Sequence, residues 1–127
     1  MTIVILPPQQ IIHRAVSRKG WIKNGIVSPA AFILRPRDEG KLSVITQANC
    51  TALVCSATLS ECFGEITLSV STVNSLSLSA IEDPLPNNPN HAAIIGLPPH
   101  EGETLADAEF LAGEIAKGST INRRQTP

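Results

Sequence analysis

The stretch EITLSVSTVNSLSLSAI, residues 65–81, decides the fold class of this chain. In its first six residues apolar and polar side chains alternate, which predicts a half-buried β-strand. The apolar face of that strand would carry Ile66, Leu68 and Val70, and the polar face Glu65, Thr67 and Ser69. STVNSL (71–76) predicts a helical turn capped by Ser71, and LSLSAI (76–81) alternates again. The stretch therefore indicates two strands joined by a helical turn.

Other strands are predicted on both sides of this stretch. IIHRAV (11–16) is rich in β-branched residues, and HAAIIGL (91–97) is so apolar that it predicts a central strand. A strand around residues 31–34 and a returning strand in KLSVITQ (41–47) would form a hairpin across the polar turn at 36–40. We read SRKGWIKNG (17–25) as a loop that Trp21 anchors to the body of the protein.

Helical patterns are fewer and lie mainly at the C-terminal end. ETLADAEFLAGEIAKG (103–118) has apolar residues at helical spacing, and Thr104 stands where a cap is expected. NCTALVCSATLSECFG (49–64) predicts a short helix, with a strand as the alternative because Ser and Thr are frequent. Residues 1–10 are predicted to be an extended lead-in and residues 119–127 a frayed tail.

These segments predict an α+β fold in a single domain covering residues 1–127. We expect a compact mixed or antiparallel sheet of about five to six short strands, one short helix and one C-terminal amphipathic helix. Hydrophobic residues make up 43% of the chain and charged residues 17%, which argues against whole-chain disorder.

Composition also limits the partners. The net charge of −1 and the aromatic content of 3% disfavour a nucleic-acid partner, which needs clustered positive charge or stacking platforms. No apolar run approaches the roughly 20 residues of a membrane span, so no membrane is expected. Three cysteines, an odd number, favour a reducing compartment, and the opening MTIVILPP does not resemble a signal peptide. The predicted location is the cytoplasm.

Cofactor and metal signals are weak. Cys50, Cys55 and Cys62 are spaced by five and seven residues, whereas zinc sites usually contain close pairs. We therefore interpret the cysteines as packing residues and predict no metal. The chain contains neither GxGxxG nor GxxxxGK, so we predict no cofactor, and it contains neither GxSxG nor HExxH.

The best candidate for a polar site is DPLPNNPNHAAIIGLPP, residues 83–99. His91 follows several polar residues there, and the prolines limit the flexibility of the loop that carries them. A purely structural turn is the alternative interpretation. We predict catalytic roles for His91, Arg14 and Asp83, and binding roles for Asn88, Ser43 and His13.

Three motifs resemble a pattern found in a group of small, uncharacterised bacterial proteins. They are AAF within SPAAFILRP, LSV within KLSVITQ, and DPLPNNPNHA, in that order after the Arg-bearing strand IIHRAV. The resemblance spans about residues 11–97 and implies no particular activity. Position by position it points to Arg14, Phe32, Ser43, Asp83, Asn88, Pro89 and His91.

Two main hypotheses of function follow. The first is an interaction domain with a protein partner or a second copy of itself, from a bacterial defence, toxin–antitoxin or mobile-element system. The second is a small enzyme built on His91, Arg14 and Asp83. One version of it resembles ADP-ribosyltransferase-like or RNA 2′-phosphotransferase-like domains, with His13–Arg14, Ser71–Thr72 and Glu82 or Glu103 in the roles of that group. A third, RNA- or DNA-processing role would use the arginine groups.

Overall fold

The computed structural model describes residues 3–16, 18–47, 64–86 and 88–124. The strands in these residues are β1 Ile11–Ala15, β2 Ile22–Lys23, β3 Ile26–Val27, β4 Leu42–Ile45, β5 Gly64–Ser69, β6 Ser79–Glu82, β7 His91–Ile95 and β8 Thr120–Arg124. The α-helices are α1 Val70–Asn74 and α2 Leu105–Lys117. No helix among the described residues is both long enough and apolar enough to cross a membrane.

Six strands form one antiparallel sheet in the order β6-β7-β4-β1-β5-β8, and β2 and β3 form a separate two-stranded sheet. The alternation predicted for residues 65–70 is present in β5, where Ile66 and Leu68 are buried. The predicted α+β class is confirmed, and the main sheet is antiparallel. His91 begins β7, which lies between β6 and β4 rather than at an edge.

One face of the main sheet, the core face, packs against helical segments. Its strands contribute Ile12, Leu42, Val44, Ile66 and Ile94, all 1% exposed or less. Helix α2 and the 3₁₀ turn Pro29–Phe32 pack against each other, and both contribute buried side chains to this core. Each fully buried Ile or Leu stabilises the fold by about 1.5–3 kcal/mol. The opposite face, the polar face, carries Ser43, Ile45, His13, Glu65 and His91.

The strand predicted around residues 31–34 is wrong, and so is the hairpin built on it. Residues Pro29–Phe32 form a 3₁₀ turn that Ser28 caps by accepting a hydrogen bond from the Ala30 main-chain N–H at 3.2 Å. Proline fits the first position of a helical turn because its missing N–H is not needed there. The returning strand β4 exists, but its partners are β1 and β7.

Predicted caps and ends also need correction. Ser69, not Ser71, caps α1, accepting a bond from the Thr72 main-chain N–H at 3.3 Å. The Thr104 hydroxyl donates backwards to the carbonyl oxygens of Pro99 and Glu101, so it does not cap α2. Strand β6 starts only at Ser79, because the chain turns before it with Ser77 at φ 63°.

The ends of the described chain are more ordered than predicted. Residues 119–127 were expected to fray, yet Thr120–Arg124 form β8 and pair with β5. Near the other end, Ile5 pairs with Ile81 and adds a short strand segment to the sheet beside β6. Trp21 is 3% exposed, as predicted for an anchor, but the loop predicted over 17–25 is wrong in part, because it contains β2. The helix predicted over residues 49–64, with all three cysteines, lies outside the described residues except for Gly64, which starts β5.

Candidate functional site

Ser43 and His91 meet on the polar face because their strands are neighbours. In the β4–β7 register Ser43 lies opposite Ala93, and Ile45 lies opposite His91. Ser43 and His91 are therefore diagonal neighbours on the same face, within reach of a long side chain. Asp83 follows β6 directly, and its main-chain N–H donates to the carbonyl oxygen of His91 at 3.0 Å. Three separate strands thus bring Ser43, His91 and Asp83 together.

The hydrogen bonds of His91 define its tautomer. Its Nδ1 lies 2.9 Å from the main-chain oxygen of Asp83 and 3.4 Å from the Asp83 carboxylate oxygen Oδ2. A carbonyl oxygen can only accept, so Nδ1 carries a proton and donates it. In the neutral ring Nε2 is then an acceptor, and it lies 3.1 Å from Ser43 Oγ. The Ser43 hydroxyl therefore donates to Nε2, which is the arrangement of a serine beside its general base.

Lys41 belongs to the same patch, although the sequence prediction missed it. Its Nζ lies 3.6 Å from Oδ1 of Asp83, and its side chain is about half exposed. The signal was present in KLS, because residues two apart in an extended segment point to the same face. We call Lys41, Ser43, Asp83 and His91 the serine–histidine patch.

Arg14 contacts this patch only from the core face of the sheet. It is buried, and its side chain lies on the core face, where Nε donates to the Ala31 carbonyl and Nη1 to the Ser43 carbonyl, both at 2.6 Å. The pKa of Arg14 is lowered to about 10, chiefly by burial; Asp38 opposes the shift, and the charge of Arg35 adds to it. The guanidinium holds the main chain of Ser43 but does not contact His91 in this arrangement.

His13 belongs to a second group on the polar face, separated from the serine–histidine patch by Ile45, which pairs with both histidines. Its Nδ1 lies 3.0 Å from Thr67 Oγ1 and 3.2 Å from Glu65 Oε1. Burial lowers the pKa of His13, and Glu65 opposes that shift. Glu65 was placed on the polar face correctly, but it is fully buried. We call His13, Glu65 and Thr67 the buried histidine cluster.

Asn88 shapes the loop that presents His91. Its main chain exchanges two 3.0 Å hydrogen bonds with Leu85, and its carbonyl accepts from the His91 N–H at 3.1 Å. Nearby, the Asn90 side-chain amide donates to Gln47 Oε1 at 2.7 Å. The proline-rich segment is therefore a tight turn, and the same turn positions His91 and Asp83.

A cleft of about 550 Å³ lies away from the serine–histidine patch. Its walls include Leu34, Arg35, Leu97 and His100. His100 Nε2 lies 3.2 Å from Glu109 Oε1, which gives the third histidine of the chain a carboxylate neighbour. Within the described residues, no group of three or more His, Cys, Asp or Glu side chains could hold a metal ion.

Comparison with known proteins adds no relative to this picture: no family model, no curated protein and no solved structure matches the chain.

Proposed function

We propose that this protein is a small serine hydrolase that cleaves carboxylic esters, with Ser43 as nucleophile, His91 as general base and Asp83 as the group that orients His91. The observation that carries the proposal is the 3.1 Å contact between Ser43 Oγ and a His91 Nε2 whose tautomer is defined by Asp83. Of the hypotheses from the sequence, this contact favours the enzyme built on His91 and Asp83. Ser43, which the sequence suggested for binding, takes the role of nucleophile.

The reaction balances with the ester and one water molecule. Ser43 Oγ bonds to the carbonyl carbon of the ester while its proton passes to His91 Nε2. The bond from carbon to the alcohol oxygen then breaks, and His91 returns the proton to the leaving alcohol. In the second half a water oxygen bonds to the acyl carbon while one water proton passes to Nε2. The bond from that carbon to Ser43 Oγ then breaks, and His91 returns the proton to Oγ, which releases the acid and free Ser43. In both halves Asp83 faces the positive charge that forms on the imidazole ring.

The surroundings of Ser43 suit a small or activated ester. Ser43 is exposed, and the His91 side chain is 13% exposed, so a substrate carbonyl can approach both. Lys41 places a positive charge 3.6 Å from Oδ1 of Asp83, the residue that orients His91. Ser43 stands within a strand rather than on a sharp strand-to-helix turn, so the substrate would bind over the sheet face.

The ADP-ribosyltransferase version gains no support from the same contacts. Arg14 is buried, with donors directed at two main-chain carbonyls, and would not reach an NAD phosphate from there. Ser71 and Thr72 lie in α1, where Ser69 makes contacts with both hydroxyls. Arg14 touches the serine–histidine patch only through the Ser43 main-chain carbonyl, and Glu82 lies next to Asp83 in the chain.

A fluorophosphonate probe tests the hydrolase directly, because it phosphonylates an activated serine with loss of fluoride. We expect one equivalent of label at Ser43 by intact mass and peptide mapping, together with hydrolysis of p-nitrophenyl acetate. Both should be lost in Ser43→Ala and strongly reduced in His91→Gln. Ser75→Ala is the matched control, since Ser75 is also exposed but donates only to the Thr72 carbonyl. A wild-type protein that takes no label, or a Ser43→Ala variant that labels equally, rejects the proposal.

We also propose a cytoplasmic location, which the odd number of cysteines favours. Fractionation of cells that express the chain tests it. Recovery with cytoplasmic marker proteins is the expected result, and recovery in an extracytoplasmic fraction would contradict it.

A further inference from the structure

Among the residues that the structure describes, the outermost strand segment next to β6 is made by residues before β1. Ile5 lies opposite Ile81 of β6. On either side of that pair, the Glu82 N–H donates to the Val4 carbonyl and the Leu6 N–H to the Ala80 carbonyl, both at 2.9 Å. In an antiparallel pair these bonds make Ile5–Ile81 the non-hydrogen-bonded type. The N–H and C=O of Ile5 therefore point away from the sheet.

This edge is apolar and exposed. Ile3 and Ile5 are each 66% exposed and Val4 is 46% exposed, and none of the three carries a charge. Proteins usually protect sheet edges with charged residues, prolines or bulges, because an unprotected edge pairs with another strand. Pro7 and Pro8 limit the free edge at one end but leave residues 3–5 open to pairing.

The opposite edge differs. Strand β8 forms that edge of the described sheet, and its pairing with β5 is irregular between Glu65 and Ile66. Bulges and irregular pairing are among the devices that discourage edge pairing. One edge of the sheet thus carries such protection, whereas the edge at Ile3–Ile5 has none along its three exposed residues.

We propose that a second copy of this chain pairs with the Ile3–Ile5 edge in antiparallel fashion, about a two-fold axis at Ile5. A two-fold axis places Ile5 opposite itself, where each copy donates its N–H to the carbonyl of the other. No like charges meet across the axis, because the segment has no charged side chain. The dimer is a continuous sheet, and the polar faces of both copies lie on the same side. This dimer would be one form of the homo-oligomer that the sequence analysis proposes, and it does not depend on the proposed hydrolase activity.

Light scattering coupled to size-exclusion chromatography, over a range of loading concentrations, tests the dimer. We expect the wild-type mass to rise with concentration towards twice 13.5 kDa. Ile5→Lys should stay at the monomer mass throughout, because it places two positive charges at the axis. Ile26→Lys is the matched control, since Ile26 is 70% exposed but lies in β3 of the separate hairpin. It should dimerise like the wild type.

Ile5→Pro examines the hydrogen bonds separately from the charge. The substitution removes only the outward N–H, while the sheet bonds of Val4 and Leu6 stay available. We expect a folded monomer, with circular dichroism confirming the fold of every variant. A wild-type chain that remains monomeric at the highest concentration overturns the proposal. So does a dimer that survives both Ile5→Lys and Ile5→Pro. Esterase activity plays no part in either outcome.

Discussion

Two histidines on the polar face have similar chemical neighbours, but only one of them is placed to act as a general base. His91 and His13 each lie beside a carboxylate and a hydroxyl, and Ile45 separates them. In the buried histidine cluster both neighbours lie at the same ring nitrogen, Nδ1. In the serine–histidine patch they lie at opposite nitrogens, and the serine is exposed. Only the second arrangement leaves one nitrogen to take a proton from an accessible hydroxyl.

Removing the hydroxyl beside each histidine is the most direct test of the contrast between His91 and His13. Ser43→Ala should lower kcat/KM for p-nitrophenyl acetate by about 10³-fold or more, because the nucleophile is gone. It should leave the free energy of unfolding within about 0.5 kcal/mol, since the side chain is exposed. Thr67→Val should do the reverse: the rate stays, and stability falls by about 1 kcal/mol. Equal rate losses in the two variants would mean that the contacts of His91 have no special role.

Arg14 provides the next largest effect, on stability. Arg14→Met removes the donors to the Ala31 and Ser43 carbonyls and should cost about 3 kcal/mol of unfolding free energy, measured by urea denaturation. Arg35→Met is the control: both arginines lie over the Trp21 ring, Arg14 at 4.9 Å and Arg35 at 5.6 Å, but Arg35 is less buried. It should cost under about 1 kcal/mol. A larger loss for Arg35→Met than for Arg14→Met would contradict the assignment of Arg14 as the residue that holds Ser43 from behind.

Neutralising the two carboxylates, Asp83 and Glu65, should have different effects on the rate. Loss of the aspartate in a serine-protease triad costs about 10⁴-fold, largely because the histidine adopts the wrong tautomer. Here the main-chain oxygen of Asp83 keeps the Nδ1 proton in place, so Asp83→Asn should cost only about 10- to 100-fold in kcat. Glu65→Gln should leave kcat unchanged. A loss near 10⁴-fold for Asp83→Asn would show that the carboxylate, not the carbonyl, sets the tautomer.

Local patterns predicted much of the fold and only part of the site. Alternation marked β5, and the apolar run of β7 marked it as a central strand. The run after Ser28 has no helical or strand period, and only its Ser-Pro start favours a helical turn. Asp83 and His91 are close in sequence, so the polar loop indicated them together. Ser43 meets His91 through the pairing of two strands 48 residues apart, and no local pattern contains that register. The burial of Glu65 depends equally on long-range packing.

The smallest expected effect concerns pH. Because burial lowers the pKa of His13 below its ordinary 6.5, the unfolded chain binds a proton more readily than the folded chain. The contribution of His13 to stability is therefore complete above pH 6.5 and is lost as pH falls below that value. Urea denaturation at pH 7.5 and pH 5.5 should show a drop in unfolding free energy that is smaller in His13→Gln than in the wild type. Ser75→Ala, which removes no titratable group, is the control and should keep the wild-type drop. If His13→Gln also keeps the full drop, the buried histidine cluster does not sense pH, and the contrast between the two histidines rests on exposure alone.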